Sequence, residues 1–280
     1  MKKGWGIGWL GWTPLAWYLF FLLGPLGLIA LTGFATRGTY GGIRWDLNIG
    51  NFARALDPLY FQILVSSFVL SLETSFICLA IGFPVALVMS TLSHRIRSAV
   101  IFLLAIPFLT NLMIRLCALK AFTAYEGPLD LLLNFFSVPH DSFLLSQNLP
   151  LVLFGMVSTY LPFMIFPIYG ALERFDFSLV EAAQDLGATY IQVLWRVVVP
   201  GLRKPLASGF LLVFIPAMGE FLIPDILGGA KVMLTGNLIS EQFLKARDWP
   251  FGSALAVIMM VILFISIFLI QKTEGSVGHE

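Results

Sequence analysis

Six long apolar runs constrain what this chain can fold into more than any other feature of its sequence. Each run is about 20 residues or longer, the length that one helix needs to cross the hydrocarbon core of a bilayer. Only 12% of the 280 residues are charged, against about 25% in soluble domains. We therefore predict an all-α integral membrane protein with a single transmembrane domain over residues 1–280. Its six predicted transmembrane helices lie near residues 13–34, 63–90, 99–118, 151–172, 205–227 and 251–270.

The first apolar run also has features of a signal peptide, because Lys2 and Lys3 precede it. Its apolar stretch is long for a signal peptide, however, and no clear small-x-small cleavage site follows it. We interpret it as a transmembrane helix. Six spans place both termini on one side of the membrane, and the distribution of Lys and Arg among the loops favours the cytoplasmic side.

The loop over residues 173–204 is the most polar extended segment between two predicted spans. Ser178 and Glu181 form a Ser-x-x-Glu pattern, which predicts a capping box at the start of a helix. Gly187 lies where a left-handed residue would end that helix. Between these signals, apolar residues recur at the spacing of one helical face. These residues are Leu179, Ala182, Ala183 and Leu186.

A second helix is predicted directly after the glycine. Thr189 and Gln192 repeat the capping pattern, and Pro200 closes the segment. The apolar residues of this second helix are Ile191, Leu194, Trp195 and Val198. We therefore expect the loop to fold as two short amphipathic helices at the cytoplasmic membrane surface.

This loop resembles the EAA loop of ABC-importer permeases. The similarity rests on Glu181, Ala182, Ala183, Gly187 and Pro200. The positions three and one before the proline carry valine, where the family usually has isoleucine and leucine. In that family the loop forms the coupling helices that dock into a groove on the ATPase subunit. The resemblance implies an ATPase-coupling role for these residues and for Asp185.

Two alternatives to a coupling role stay open for this loop: Glu181 as a capping residue alone, or an ordinary surface helix lying on lipid. The sequence contains no Gly-x-x-x-x-Gly-Lys-Ser/Thr phosphate loop. The resemblance therefore implies that a partner ATPase binds ATP and Mg²⁺, and that this chain holds no cofactor or metal and is not an enzyme. A net charge of +1 gives no reason to expect nucleic acid as a partner.

Ionisable and helix-breaking residues occur inside the predicted spans. A charged side chain at membrane depth is costly and often marks a substrate pathway. Pro216, Gly219 and Pro224 interrupt the fifth span, and broken helices at membrane depth usually line a cavity. We predict that the pathway residues are Glu220, Asp225, Glu73, Asn111, Tyr160 and Phe163.

Glu220 is the principal candidate among them, because it lies within the interrupted stretch. A carboxylate beside aromatic rings such as those of Tyr160 and Phe163 can bind an organic cation through charge pairing and cation–π contact. A structural role is the alternative for each of these residues. In particular, Glu73 and Arg115 would stabilise helix packing if they paired with each other, and Glu73 would then not contact a solute.

Segments between residues 56 and 252 resemble the spermidine/putrescine importer permeases. They comprise residues 56–61, 107–111, 161–164, 216–221, 228–231 and 247–252. The similarity is to the first of the two permease types in such importers. It implies the ABC type I importer permease fold and a multi-pass location in the bacterial inner membrane. The implied partners are the lipid bilayer, a second homologous permease in a heterodimer, an ATPase dimer and an extracytoplasmic polyamine-binding protein.

Other functions remain as alternatives. An importer of the same architecture for another small solute, such as iron, sulfate, thiamine or an amino-acid derivative, is the first. An anion carrier is expected to have basic groups at its cavity, and here the carboxylates outnumber Arg115. A membrane enzyme needs a nucleophile–base or metal-ligand set in its spans, and the sequence shows none. A channel does not account for the two-helix loop, and a scaffold does not account for carboxylates within spans.

Overall fold

The structure is a computed structural model that describes residues 9–39, 41–136 and 148–275. The chain divides into two compact units. One comprises the described residues up to Gln62 together with Leu238–Ile262. The other comprises Ile63–Asn237 together with the described residues from Leu263 onward. The single transmembrane domain expected over the whole chain stays a prediction.

Helices dominate the described residues. In chain order they are α1 (Trp9–Gly33), α2 (Gly50–Ala55), α3 (Pro58–Thr91), α4 (His94–Leu109), α5 (Leu112–Phe122), α6 (Pro128–Phe135), α7 (Leu149–Leu172), α8 (Ser178–Asp185), α9 (Tyr190–Gly201), α10 (Arg203–Met218), α11 (Thr235–Leu244) and α12 (Trp249–Gly275). The middle of α9, Leu194–Val198, is π-helical. A second π-helical segment, Pro224–Gly228, follows α10. In the described stretches the only strands form a short antiparallel hairpin, β1 (Thr36–Arg37) and β2 (Ile43–Arg44).

Four of these helices, α1, α3, α7 and α12, are long and apolar enough to cross a membrane. Two bent pairs, α4 with α5 and α9 with α10, pass the same test when each pair is counted as one span. The described residues therefore provide between four and six candidate spans. This result confirms the predicted all-α membrane class, and six is reached when both bent pairs cross.

The third predicted span is not one straight helix, because α4 and α5 meet at an angle of 94°. Thr110 and Asn111 have extended backbone conformations between them. The Asn111 side chain accepts a hydrogen bond from the Met113 backbone N–H at 2.8 Å. An asparagine in this position caps a new helix. The expectation of one continuous crossing over residues 99–118 was therefore wrong.

The fifth predicted span is interrupted, as its sequence indicated. The α10 helix continues through Pro216, ends at Met218 and has Gly219 as its C-cap residue. The chain becomes helical again at Leu222, directly before the π-helical segment that begins at Pro224. The break therefore falls at the glycine and the residue that follows it, and not at the first proline.

Close packing in the second unit depends on small residues. The α7 helix packs along α10, and a Cβ atom added at Gly209 would lie 3.0 Å from the Met164 sulfur. A Cβ atom added at Gly155 would lie 2.5 Å from Leu227 Cδ1 and 3.0 Å from Ile223 Cγ2. Small residues at helix interfaces let backbones approach, which is how membrane helices gain packing energy without a hydrophobic driving force.

The α3 helix buries a row of small hydroxyl side chains. Ser67, Ser71, Thr74 and Ser75 each donate a hydrogen bond to the carbonyl four residues before it in the chain, at 2.6–2.8 Å. Polar groups at membrane depth need internal partners, and these bonds supply them within the helix itself. The row can therefore be buried without leaving unpaired hydroxyl groups.

An ion pair stabilises the first unit. Arg54 Nη1 lies 2.9 Å from the buried Asp248 Oδ2, and the guanidinium carbon lies 4.0 Å from the centroid of the Phe251 ring. Asp248 Oδ1 also accepts the Phe251 backbone N–H. The pair thereby joins the last turn of α2 to the start of α12.

Candidate functional site

The α8 helix begins without the predicted capping box. Ser178 is its first residue, and the N-cap residue Phe177 makes no side-chain cap. Asp176 Oδ1 instead accepts the Ser178 backbone N–H at 3.0 Å, and hydrogen bonds from Ser178 lower the pKa of the Asp176 carboxyl. The box was predicted wrongly because the helix starts one residue before the position that the pattern implied, which places Glu181 beyond the capping position.

The second half of the loop follows the prediction. Gly187 has φ +84° and ends α8 in the left-handed region, where glycine avoids the steric cost that a side chain would bring. Thr189 and Gln192 form the expected capping box, with reciprocal hydrogen bonds of 3.0 and 3.4 Å. The two short helices are therefore joined at the glycine, as the sequence indicated.

Large apolar side chains of α8 and α9 point away from the protein. We define the exposed apolar face as Leu179, Leu186, Tyr190, Ile191 and Trp195. Leu186 is 89% exposed. The residues that resemble the EAA motif lie beside this face: Glu181, Ala182, Asp185 and Gly187 are exposed, and Ala183 and Pro200 are half-buried. An exposed apolar face of this kind marks a surface that binds another molecule.

The opposite side of the two helices is attached firmly to the second unit. Val193 and Val198 are buried, and Val180 and Ala183 pack against the same core. The Phe175 ring lies so close to Gly201 that an added Cβ atom would be 2.6 Å from its Cε2. The loop is therefore a packed part of this unit and not a loose connection.

A polar network holds the residue with which the loop begins. Glu173 Oε1 accepts a hydrogen bond of 2.5 Å from the Tyr169 hydroxyl and lies 3.5 Å from Arg97 Nη1. Arg97 Nη2 also donates to the carbonyls of Ser90 and Leu92, each at 3.1 Å. The end of α3, the start of α4 and the end of α7 are thus joined at the loop.

The carboxylate of Glu220 stabilises the break after α10. Its Oε1 accepts the backbone N–H groups of Phe221, Leu222 and Ile223 at 2.9–3.2 Å, and its Oε2 accepts the hydroxyl of Tyr160. Both oxygens are therefore engaged, and the side chain is buried. The structure brings two predicted site residues together, in contact with each other.

The segment that follows the π-helix packs closely on this break. A Cβ atom added at Gly236 would lie 2.6 Å from the carbonyl oxygens of Gly219 and Glu220. The neighbouring Thr235 donates from its N–H and its hydroxyl to Ser67 Oγ at 2.7 and 2.9 Å. The interrupted stretch is thus supported by fixed contacts and has a defined conformation.

The remaining predicted pathway residues lie apart from Glu220. The exposed ring of Phe163 packs edge-on against Phe108, and its centroid is 6.3 Å from that of Tyr160. Asn111 is exposed and caps α5, and Asp225 is exposed in the π-helical segment. The six predicted residues therefore do not form one cluster.

Arg115 does not pair with Glu73. Its guanidinium donates to the Pro107 carbonyl at 3.3 Å and to the Thr159 hydroxyl at 2.9 Å. The alternative in which these two charges fix helix packing was therefore wrong.

Glu73 is exposed and lines a cleft of 380 Å³ in the second unit. The α3 wall of the cleft comprises Val65, Ser66, Val69, Leu70 and Glu73. The facing residues are Leu149 and the stretch from Lys231 to Leu234.

Sequence reasoning missed the contacts of Glu173 and the bonding of Ser67 to Thr235. Glu173 directly follows a predicted span. A charged residue at the end of a span is common, so the sequence provided no reason to predict specific contacts for it. Ser67 and Thr235 are 168 positions apart, and no local pattern relates them. By contrast, the interruption of the fifth span was visible in its prolines and glycine.

The fold is that of an ABC-importer membrane domain. The chain matches the crystal structure of a bacterial ABC transporter involved in the import of the acidic polysaccharide alginate with a TM-score of 0.80, covering 99% of this chain and 97% of that chain at 15% identity. A bacterial alginate ABC transporter in complex with an alginate pentasaccharide-bound periplasmic protein gives a TM-score of 0.75 over 96% and 93%. These matches confirm the predicted type I importer permease fold.

The chain belongs to the family of binding-protein-dependent transport system inner membrane components, whose model matches residues 78–273. It is 38% identical over 251 residues to the spermidine/putrescine transport system permease protein PotB of Escherichia coli K12, covering 90% of this chain and 91% of that protein. The protein of the same description from Haemophilus influenzae is also 38% identical, over 95% and 93%. The predicted family resemblance is thereby confirmed, and the chain is a multi-pass inner-membrane component.

Proposed function

We propose that this chain is the permease subunit of an ATP-driven importer for polyamines such as spermidine and putrescine. The observation that carries the proposal is the 38% identity to the polyamine permeases over nine-tenths of both chains. An alignment of that extent includes the 173–204 loop and the interrupted fifth span together. The alginate transporters share the fold at 15% identity, which says nothing about the solute that this chain carries.

The 173–204 loop is the proposed contact with the ATPase. Its inner side is packed into the second unit, while its exposed apolar face is free to enter a groove on a partner, as amphipathic helices do. The coupling residues are Glu181, Ala182, Ala183, Asp185, Gly187 and Pro200. ATP and Mg²⁺ bind to the ATPase dimer in this proposal, and the chain itself supplies movement without catalysis.

Movement of the loop reaches the spans through Glu173. Because this side chain contacts both Tyr169 and Arg97, a displacement of α8 and α9 acts on α7, α3 and α4 together. ATP must bind one conformation of the transporter better than the other, since a ligand with equal affinity for both shifts nothing. Within this chain, the contacts of Glu173 would connect the movement of the loop to the spans when ATP changes the conformation.

The predicted pathway residues take different roles in this proposal. Glu220 was expected to bind the solute directly, but its oxygens hold three backbone amides and Tyr160. We assign this pair to positioning the interrupted stretch. Phe163, Asn111 and Asp225 remain candidates for the pathway lining.

The proposed assembly contains this chain with a second homologous permease, an ATPase dimer and an extracytoplasmic polyamine-binding protein. Both termini and the 173–204 loop lie on the cytoplasmic side, where the ATPase is. This orientation agrees with the modest excess of Lys and Arg in the segments assigned to that side.

ATP hydrolysis by the reconstituted transporter tests the proposal. We expect the spermidine-loaded binding protein to stimulate hydrolysis by the complex in lipid nanodiscs more than the ligand-free binding protein does. The control is the same complex with the binding protein loaded with another solute class. Stimulation by a sulfate-, iron- or thiamine-loaded protein, and none by the polyamine-loaded one, would contradict the assignment of the solute.

A further inference from the structure

We propose that Glu73 of α3 is the carboxylate that binds an ammonium group of the solute during its passage through the membrane. The inference rests on the proposed function, because it requires the solute to be an aliphatic polyamine. In this proposal Glu73 is a solute-binding residue, and the surface of α3 around it forms part of the pathway wall.

The predicted second span places Glu73 within the membrane. Ten residues separate it from Ile63, where that predicted span begins, which corresponds to about 15 Å along a helix. In the structure Glu73 lies near the middle of α3 (Pro58–Thr91), and the cleft that it lines also includes Leu149, the first residue of α7. Carboxylates at this depth face a bundle interior or a water-filled cavity and mark solute pathways.

The side chain lies on the exposed stripe of α3. Val65, Val69 and Phe76 are exposed on the same stripe, whereas the hydroxyl row from Ser67 to Ser75 is buried within the unit. Among the described residues, no hydrogen bond or ion pair involves the Glu73 carboxylate. A lipid-facing position would leave this charge in hydrocarbon, so the stripe must border water or a partner subunit at this point.

The cleft beside Glu73 has the chemistry of a site for an aliphatic cation. Its α3 wall is apolar at Val65, Val69 and Leu70, with the Ser66 hydroxyl and one carboxylate as polar groups. Methylene groups of a polyamine can pack on such walls while an ammonium group pairs with the carboxylate through a charge-assisted hydrogen bond. A solute without a cationic group lacks this pairing with the carboxylate.

Lys231 lines the opposite side of the cleft. It is engaged in an interaction of its own. Glu73 is the acidic residue among those that line the cleft, and it is therefore the position at which a cation would pair.

The Glu220 carboxylate is not available to bind a cation in the same way. Its carboxylate already accepts four hydrogen bonds and is buried. Binding of an ammonium group there would require the helix after the break to lose its cap. Glu73 can bind a cation without breaking a hydrogen bond or an ion pair among the described residues.

The test measures spermidine uptake and ATP hydrolysis in the same proteoliposomes that hold the complete transporter. Glu73→Gln removes the charge and keeps the size, and Glu73→Asp keeps the charge. Glu241→Gln is the matched control on α11, where the half-buried Glu241 lies 4.0 Å from Lys245. We expect Glu73→Gln to lower the number of spermidine molecules imported per ATP by about tenfold, the effect of one charge-assisted hydrogen bond. Glu73→Asp should retain most of the uptake.

The readouts separate the possible outcomes. Uptake per ATP that is unchanged in Glu73→Gln, with active wild type, would overturn the role of Glu73 and leave the polyamine importer intact. No spermidine uptake by wild type, despite ATP hydrolysis stimulated by another loaded binding protein, would overturn the proposed function itself. Loss of binding-protein-stimulated hydrolysis in both Glu73 variants would indicate a structural role and would also contradict the proposal.

Discussion

At the scale of single residues, several buried polar groups of the described residues lie beside a hydrogen-bonding partner. Glu220 shows the principle, because one buried carboxylate replaces the helix hydrogen bonds that the break after α10 removes. The hydroxyl groups of Ser67 and Ser71 are satisfied by carbonyls of their own helix. The Glu73 carboxylate has no such partner among the described residues, and for this reason we assign it a ligand.

Substitution of Glu220 tests its positioning role. Glu220→Ala leaves three N–H groups without their acceptor, of which that of Ile223 is buried, and we expect this to destabilise the fold by about 3 kcal/mol. Tyr160→Phe removes one hydrogen bond and should cost about 1 kcal/mol. Thermal unfolding of the purified transporter in detergent measures both. Equal unfolding midpoints for Glu220→Ala and wild type would contradict the capping role.

Two glycines of α7 provide a matched test of packing. A Cβ atom at Gly155 would lie 2.5 Å from Leu227 Cδ1, whereas nothing lies within 4 Å of one at Gly170. We expect Gly155→Ala to destabilise by about 1–3 kcal/mol through overpacking. Gly170→Ala should be neutral or slightly stabilising, because alanine favours a helix over glycine. The same thermal unfolding assay compares the two variants. A higher unfolding midpoint for Gly155→Ala than for Gly170→Ala would show that Gly155 is not closely packed.

At the scale of elements, the 173–204 loop combines a rigid attachment with an unpaired apolar face. The buried Val193 and Val198 hold α9 on the second unit, and the turn at Gly187 sets the angle between α8 and α9. In the proposed coupling role, the side that is fixed to the second unit would carry the movement, and the exposed side would contact the partner.

The left-handed backbone conformation of Gly187 restricts which residues fit at this position. With φ at +84°, alanine is strained there, while asparagine tolerates the left-handed region better. We expect Gly187→Ala to lower binding-protein-stimulated ATP hydrolysis several-fold and Gly187→Asn to retain more of it. If both variants hydrolyse ATP as wild type does, the turn is not needed for coupling.

The exposed apolar face predicts which leucine contributes to subunit association. Leu186 and Leu47 are both 89% exposed, but only Leu186 belongs to the loop. We expect Leu186→Ser to weaken association with the ATPase subunit about tenfold, because burial of a leucine contributes about 1.5–3 kcal/mol. Leu47→Ser serves as the control. Quantitative co-purification at increasing dilution measures the difference, and equal retention in the two variants would argue against docking at this face.

Much of this element could be predicted from sequence, and the exceptions have physical causes. Gly187 and the Thr189–Gln192 box were found because turn and capping chemistry is local. The start of α8 was misplaced, because Asp176 competes with Ser178 as the capping side chain. The bend at Asn111 was missed, since hydropathy over residues 99–118 contains no information on helix direction. Ion pairs such as Arg97–Glu173 depend on long-range folding, which no local pattern encodes.

At the scale of the whole molecule, composition and family agree on a membrane component of an importer. The apolar surfaces of α1 and α12 are broadly exposed in the isolated chain, which suits contact with lipid or with a second permease. Polyamine specificity is the part that composition cannot supply. It rests on the relatives and on the carboxylates within the predicted spans, of which Glu73 is exposed and lines a cleft.

The most direct test of polyamine import is uptake of radiolabelled spermidine into proteoliposomes that contain this chain, its partner subunits and the loaded binding protein. We predict accumulation that requires ATP and that unlabelled putrescine or spermidine reduces, while sulfate and thiamine do not. ATP-dependent import of a different solute by the same vesicles, with no spermidine uptake, would contradict the assignment of this chain to polyamine import.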